Sequence, residues 1–200
     1  KNPSLLLTVK RIDNRRFLQL SPDEIVRFVS AVKNEPDLRD RCFFMFLLHG
    51  RRLNEARQLL WSWIDTARKT VTIPALHSKD SQTHVYALSD EFLANLAFLP
   101  HVSELVFPSR VTGIQLVDMR KPFKRILNRA GIDKSKMRLH DIRHLVGTAS
   151  IAAGMSLEDV MYALGHNSIQ TTKRYVTVDT SKSKKVTSFV FNLSVNGVGA

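Results

Sequence analysis

Between Leu139 and Tyr175 the chain carries His140, Arg143, His144, His166 and Tyr175. These residue types fit the handling of a phosphate. A guanidinium fork can hold two nonbridging oxygens at once. An imidazole donates to an oxygen or moves a proton. A phenol can attack phosphorus, but with a free pKa of about 10 it needs help at neutral pH. His140 and Arg143 stand three positions apart at the start of an apolar-periodic segment, Ile142, Leu145, Val146 and Ala149. On a helix that spacing puts them on adjoining positions of one face.

Two helices must hold these groups. Gly154 closes the first as a left-handed cap, and Ser156 opens the second. Ser156-Leu-Glu-Asp159 has the form of a capping box with Asp as its acid. The second helix is predicted over about Leu157 to Leu164 and stops at Gly165, so His166 falls on a loop. Tyr175 follows the polar run Thr171-Thr-Lys-Arg and does not read as pure core.

Further cations lie upstream. Arg52 enters a helix just after Gly50, where it can project into a site, and Glu55 is three residues on, close enough to pair with it. Taken alone, either Arg51 or Arg52 reads as a surface arginine. Lys79 lies on the polar loop His77 to Thr83 of a hairpin, and by itself it is an ordinary loop lysine.

The remaining elements follow from periodicity and caps. Ser21-Pro-Asp-Glu24 starts a helix with a Ser cap, Pro at N1 and acids in the first turn. Its stripe is Ile25, Phe28, Val29 and Val32. A second helix, about Leu38 to His49, is apolar nearly all round in its latter half and reads as core. Ile64-Asp65, Thr70 to Ile73 and Val85 to Leu88 read as short antiparallel strands. Ser89 caps a helix to about Leu99, and Leu105 to Pro108 is a short buried segment. Val117 to Ala130 reads as an amphipathic helix whose Arg120, Lys121, Lys124, Arg125 and Arg129 either line a nucleic-acid groove or form a solvated face. Beyond Tyr175, residues 178 to 186 are basic with helical potential. Phe189, Phe191, Leu193 and Val195 then alternate with polar or smaller residues, which predicts a last strand or extended arm.

With 200 residues the chain suffices for one well-cored domain or two very small ones. A formal net charge of +12 points to a polyanionic partner, nucleic acid first, although a solvated basic surface would carry the same charge. Cys42, the single cysteine, lies in an apolar run and reads as a buried free thiol; it excludes an internal disulfide. No run approaches the roughly 18 apolar residues of a membrane span, and no signal peptide is recognisable, which fits a cytoplasmic protein.

Taken in order, Gly50-x-Arg52-x-x-Glu55, Lys79 in a hairpin, His140-x-x-Arg143-His144, Leu164-Gly165-His166 and Tyr175 resemble the motifs of the tyrosine recombinase, or phage integrase, family. The resemblance runs from about Leu20 to Tyr175. There are departures: His49-Gly50 stands where the family often has Thr-Gly, the hairpin after Lys79 lacks a frequent Gly, and Ala87 replaces a common Pro.

The resemblance implies a mainly α fold with a small three-stranded antiparallel sheet. Residues 1–20 would be a linker from an N-terminal DNA-binding domain, 21–180 the catalytic domain, and 181–200 a tail or arm docking on a neighbouring protomer. Tyr175 would be the nucleophile, forming a 3′-phosphotyrosyl link to DNA. Arg52, Arg143 and His166 would hold the phosphate, His140 would help take the tyrosyl proton, and Lys79 would protonate the leaving 5′-oxygen. His144 would be a support residue or core. No cofactor, metal or ATP is implied. The implied partner is double-stranded DNA, with a homotetramer on two DNA sites, a monomer or weak oligomer without DNA, and no membrane. Two alternatives stand beside this: a DNA relaxase similar to type IB topoisomerases, and a DNA-binding module without catalysis.

Overall fold

The apolar run Cys42–Leu48 becomes the hub of the fold. In the computed structural model, which describes residues 20–116, 118–165 and 181–193, this run forms most of helix α2 (Leu38–Leu48). Asp37 caps its start by accepting from the Asp40 amide. Phe43, Phe44 and Phe46 are fully buried, each contributing roughly 1.5–3 kcal/mol by leaving water. Helix α1 (Pro22–Lys33) packs against α2. Its Ser21–Glu24 capping box is complete in both directions, and its buried face is Phe28, Val29, Ala31 and Val32. Cys42 is buried as expected, and burial pushes its thiol up to about 12.

After α2 come the short helix α3 (Leu53–Arg57), strands β1 (Ile64–Asp65), β2 (Thr70–Ile73) and β3 (His84–Ala87), and helix α4 (Asp90–Leu96). The sheet is antiparallel in the order β1-β2-β3. Val71 and Ile73 turn to the core while Thr70 and Thr72 alternate outward. β3 begins one residue earlier than Val85, with His84 opposite Ile73. The Leu105–Pro108 segment runs beside Leu59–Trp61, with Val106 N donating to Leu59 O at 2.9 Å.

Helix α5 spans Arg120–Arg129, starting three residues later than the sequence predicts, with Phe123, Ile126 and Leu127 buried. Two of its basic residues, although exposed, are paired with carboxylates of the fold. Arg125 bonds both Glu35 and Asp40, and Arg129 bonds Glu35. Both carboxylates are buried, so these arginines are the counter-ions that let α5 close over the α1–α2 turn.

Helices α6 (Asp141–Ala152) and α7 (Leu157–Leu164) form the anticipated hairpin. Gly154 has φ +80°, and Ser156 accepts from the Asp159 amide. The last described element corrects the sequence reading. Ser181–Asn192 is a helix, α8, and not a strand or extended arm. Its buried positions Ser183, Val186, Thr187, Val190 and Phe191 recur at three- and four-residue spacing. The alternation from Phe189 to Val195 is too short a window to reveal that period. α8 packs on α7, α6, β3 and α2 of its own chain. Among the described residues no helix is long and apolar enough to cross a membrane.

Candidate active site

The α2–α3 turn is built by Gly50. Its φ of +77° suits glycine, and a Cβ there would lie 2.5 Å from Leu164 Cδ2. This sharp turn delivers Arg51 and Arg52 consecutively into the space beside α6. Arg52 is the N-cap residue of α3. Buried Glu55 accepts from the Arg52 amide at 2.8 Å and from Arg52 Nη1 at 2.9 Å, so backbone and guanidinium are fixed by one carboxylate. Arg52 Nη2 reaches Gly165 O at 3.1 Å.

Arg143 comes from the first turn of α6 and lies against the same turn. Its Nη1 donates to Gly50 O at 2.7 Å. Its Nη2 is buried with no partner among the described residues. Burial, reinforced by the charges of Arg51 and Arg52, lowers its pKa to about 9. It therefore remains a cation at neutral pH while carrying an unmet demand for negative charge.

Arg51 is the cleft-lining residue that sequence reasoning missed. It is buried, and its guanidinium carbon lies 3.2 Å from the centroid of the Tyr86 ring. Nε donates to His49 O at 3.1 Å and Nη2 donates to Ala163 O, while Nη1 has no partner among the described residues. Two arginines in a row read as surface residues, and only the left-handed Gly50 turn reveals that one is turned inward.

His140 stands at the N-cap position of α6 with its side chain exposed and making no capping bond, its Nε2 3.1 Å from Asp141 Oδ1. His144, one turn on, is exposed, which excludes the core reading for it. Lys79 is exposed on the β2–β3 loop. A cleft of about 320 Å³ is lined by Arg51, Arg52, Lys79, His140, Arg143 and His144, with Leu47, Leu53 and Leu139 as apolar walls. Four of the six residues anticipated from sequence, Arg52, Lys79, His140 and Arg143, thus share one cleft. His166 and Tyr175 lie outside the described residues. Gly165, the residue before His166, has φ +65° and contributes the carbonyl that Arg52 holds.

Three guanidinium groups with one buried carboxylate, Glu55, leave the cleft under-neutralised. Orphan donors on Arg51 and Arg143 favour an anion whose oxygens accept several N–H groups at once, as a phosphodiester does.

Comparison with known proteins identifies the family and the fold. Residues 19–182 match the phage integrase family. Over 152 residues the chain is 29% identical to the prophage integrase IntA of Escherichia coli strain K12, covering 74% of this chain and 36% of that protein. Over 174 residues it is 30% identical to the tyrosine recombinase XerC of Xylella fastidiosa strain 9a5c, covering 84% of this chain and 58% of that one. The chain therefore spans between about a third and three-fifths of these relatives' lengths. In fold it is similar to the integrase from mycobacterium phage Brujita, with a TM-score of 0.65 at 21% identity, covering 93% of this chain and 62% of that one.

Proposed function

The chain belongs to the phage integrase family, and from that premise we propose that it is the catalytic domain of a site-specific DNA recombinase. The observation that carries this reading is the convergence of Arg52, Lys79, His140 and Arg143, drawn from three separate parts of the sequence, on one cleft.

In the proposed reaction the Tyr175 oxygen attacks a backbone phosphorus of double-stranded DNA. A Tyr–O–P bond forms and the P–O5′ bond breaks. The tyrosyl proton passes to His140, and Lys79 donates a proton to the departing 5′-oxygen, giving a 5′-hydroxyl. Arg52 and Arg143 hold the nonbridging oxygens and offset the charge that builds on them, and His166 adds a third donor. The phosphotyrosyl link keeps the energy of the broken bond, so a 5′-hydroxyl from another strand can reverse the step without ATP. Exchange between two duplexes cuts four strands with one tyrosine each, which calls for a tetramer of this chain on two DNA sites.

The test begins with sequencing DNA that is covalently trapped on the protein in its host. A duplex of that site, nicked just downstream of the scissile phosphate so that the short fragment bearing the new 5′-hydroxyl diffuses away, is then incubated with the protein and resolved on a denaturing gel. A protein–DNA adduct that disappears in Tyr175→Phe is the expected result. Absence of any adduct would overturn the reading in favour of a non-catalytic DNA-binding module. Relaxation of any supercoiled plasmid, without a site requirement, would move it to a topoisomerase.

A further inference from the structure

The loop that carries Lys79 is closed by its own side chains. Asp80 Oδ1 accepts from Ser78 Oγ on one side of Lys79 and from the Gln82 amide on the other. Its two oxygens also accept from His84 Nε2 at 2.8 and 3.0 Å. Ser78 is buried, and His84 begins β3, paired with Ile73 of β2. Lys79 is therefore the exposed residue between two neighbours that are bonded to each other and, through His84, to the sheet.

Two further contacts extend this clasp. Ser81 adopts φ +55°, a conformation that side-chain-bearing residues rarely take and that persists only where the surroundings enforce it. The His84 ring stacks on the Tyr86 ring, with centroids 5.6 Å apart and an angle of 16° between planes. The Tyr86 ring in turn meets the Arg51 guanidinium. A continuous set of contacts thus runs from the lysine loop through Asp80, His84 and Tyr86 to Arg51 of the cleft.

We infer that Asp80 and His84 are positioning residues that hold Lys79 at the cleft for proton transfer to the leaving 5′-oxygen. The inference rests on the role proposed for Lys79. Loss of the clasp leaves Lys79 in place chemically but lets its ammonium wander, and displacement by about 1 Å can cost roughly 10²-fold in rate.

The experiment uses two nicked duplexes of the trapped site. One has the normal P–O5′ bond and the other a P–S5′ bond at the scissile position. Sulfur departs as a thiolate and needs no proton, so a defect in the acid disappears on that substrate. Asp80→Ala should slow single-turnover cleavage of the oxygen substrate about 10- to 100-fold, keep the DNA affinity, and cleave the sulfur substrate at the wild-type rate. His84→Phe keeps a ring against Tyr86 and removes the donor, and it should behave the same way. Lys79→Ala serves as the reference and should show a larger loss with the same rescue. Wild-type rates on oxygen for both clasp variants would overturn the inference while leaving the Lys79 role intact. Equal losses on oxygen and sulfur would overturn it by assigning the clasp a merely structural role. Failure of sulfur to rescue Lys79→Ala would sink the acid role of Lys79 and this inference together.

Discussion

Arg143 Nη1 donates to the carbonyl of Gly50 at 2.7 Å, and this bond ties the start of α6 to the turn that presents Arg52. The two halves of the cleft are cross-linked a second time, because Arg52 Nη2 donates to Gly165 O at the end of α7. Each arginine is thus oriented by a glycine carbonyl from the other's side of the site. The remaining N–H groups are left for a ligand.

This arrangement predicts how the two arginines fail. Removing one charged donor to a developing oxyanion typically costs about 10²–10³ in rate. Arg52→Ala and Arg143→Ala should each lose cleavage of the nicked duplex by that factor. Duplex binding, measured by gel shift at fixed salt, should change far less, since the rest of the basic surface is untouched. A cleavage rate within a few-fold of wild type in either variant would remove that arginine from the proposed phosphate clamp.

Much of this was legible beforehand, and particular residues show why. Arg52 and Glu55 are three apart across a helix start, so their pairing is local and readable. The α6–α7 hairpin was set by local signals as well, namely Gly154, Ser156 and Gly165. Arg51 was not legible, since its burial depends on α7 and β3 meeting over it, and neither is near it in sequence. Arg125 and Arg129 read as basic residues on a helix face because their carboxylate partners, Glu35 and Asp40, sit some 85–94 residues away. The α8 misreading has the same origin in reverse: four alternating residues mimicked a strand while the docking surface selected the helical period.

Arg125 and Arg129 therefore lead to a second prediction, separating fold from DNA contact. Arg125→Ala strips buried Glu35 and Asp40 of a shared partner and should cost about 1–3 kcal/mol in urea unfolding. It should leave the salt dependence of duplex binding unaltered. Lys121 and Lys124, exposed on the same helix, are the better candidates for phosphate contact. Replacing one that touches a phosphate should reduce the log–log salt slope by about 0.9. A fall in slope on Arg125→Ala would show that this arginine serves DNA as well as the fold.

Gly165 and Tyr86 form a third testable pair. A Cβ on Gly165 would lie 2.0 Å from Tyr86 Oη, and the φ of +65° disfavours a side chain in any case. Tyr86 Oη is itself buried with no partner among the described residues. Tyr86→Phe should accordingly be neutral or stabilising by up to about 1 kcal/mol. Gly165→Ala should destabilise, and the loss should shrink in the Tyr86→Phe background because part of the clash is gone. Additive effects in that double-mutant cycle would contradict the contact.

His49 supplies a pH dependence whose sign is fixed by its hydrogen bonds. The Ser89 amide donates to Nε2 at 3.0 Å, so Nε2 carries no proton, and Nδ1 donates to Met45 O at 2.8 Å. The neutral ring also packs against Phe92 of α4 and Phe191 of α8, joining three helices. Burial drives its pKa from 6.5 down to about 3. A histidine whose folded pKa is depressed contributes stability that is present above its unfolded pKa and lost as pH falls below it, because the unfolded chain then binds a proton that the folded chain refuses. Between pH 8 and pH 5 this one group should remove about 2 kcal/mol of unfolding free energy, at roughly 1.4 kcal/mol per pH unit below 6.5. His49→Gln can keep an acceptor toward Ser89 and a donor toward Met45 without titrating in this range. It should be less stable at pH 8 for want of the ring contacts, yet lose less stability than wild type on going to pH 5. Urea unfolding of both proteins at the two pH values measures the difference, and parallel losses would mean that His49 is not held neutral by the fold.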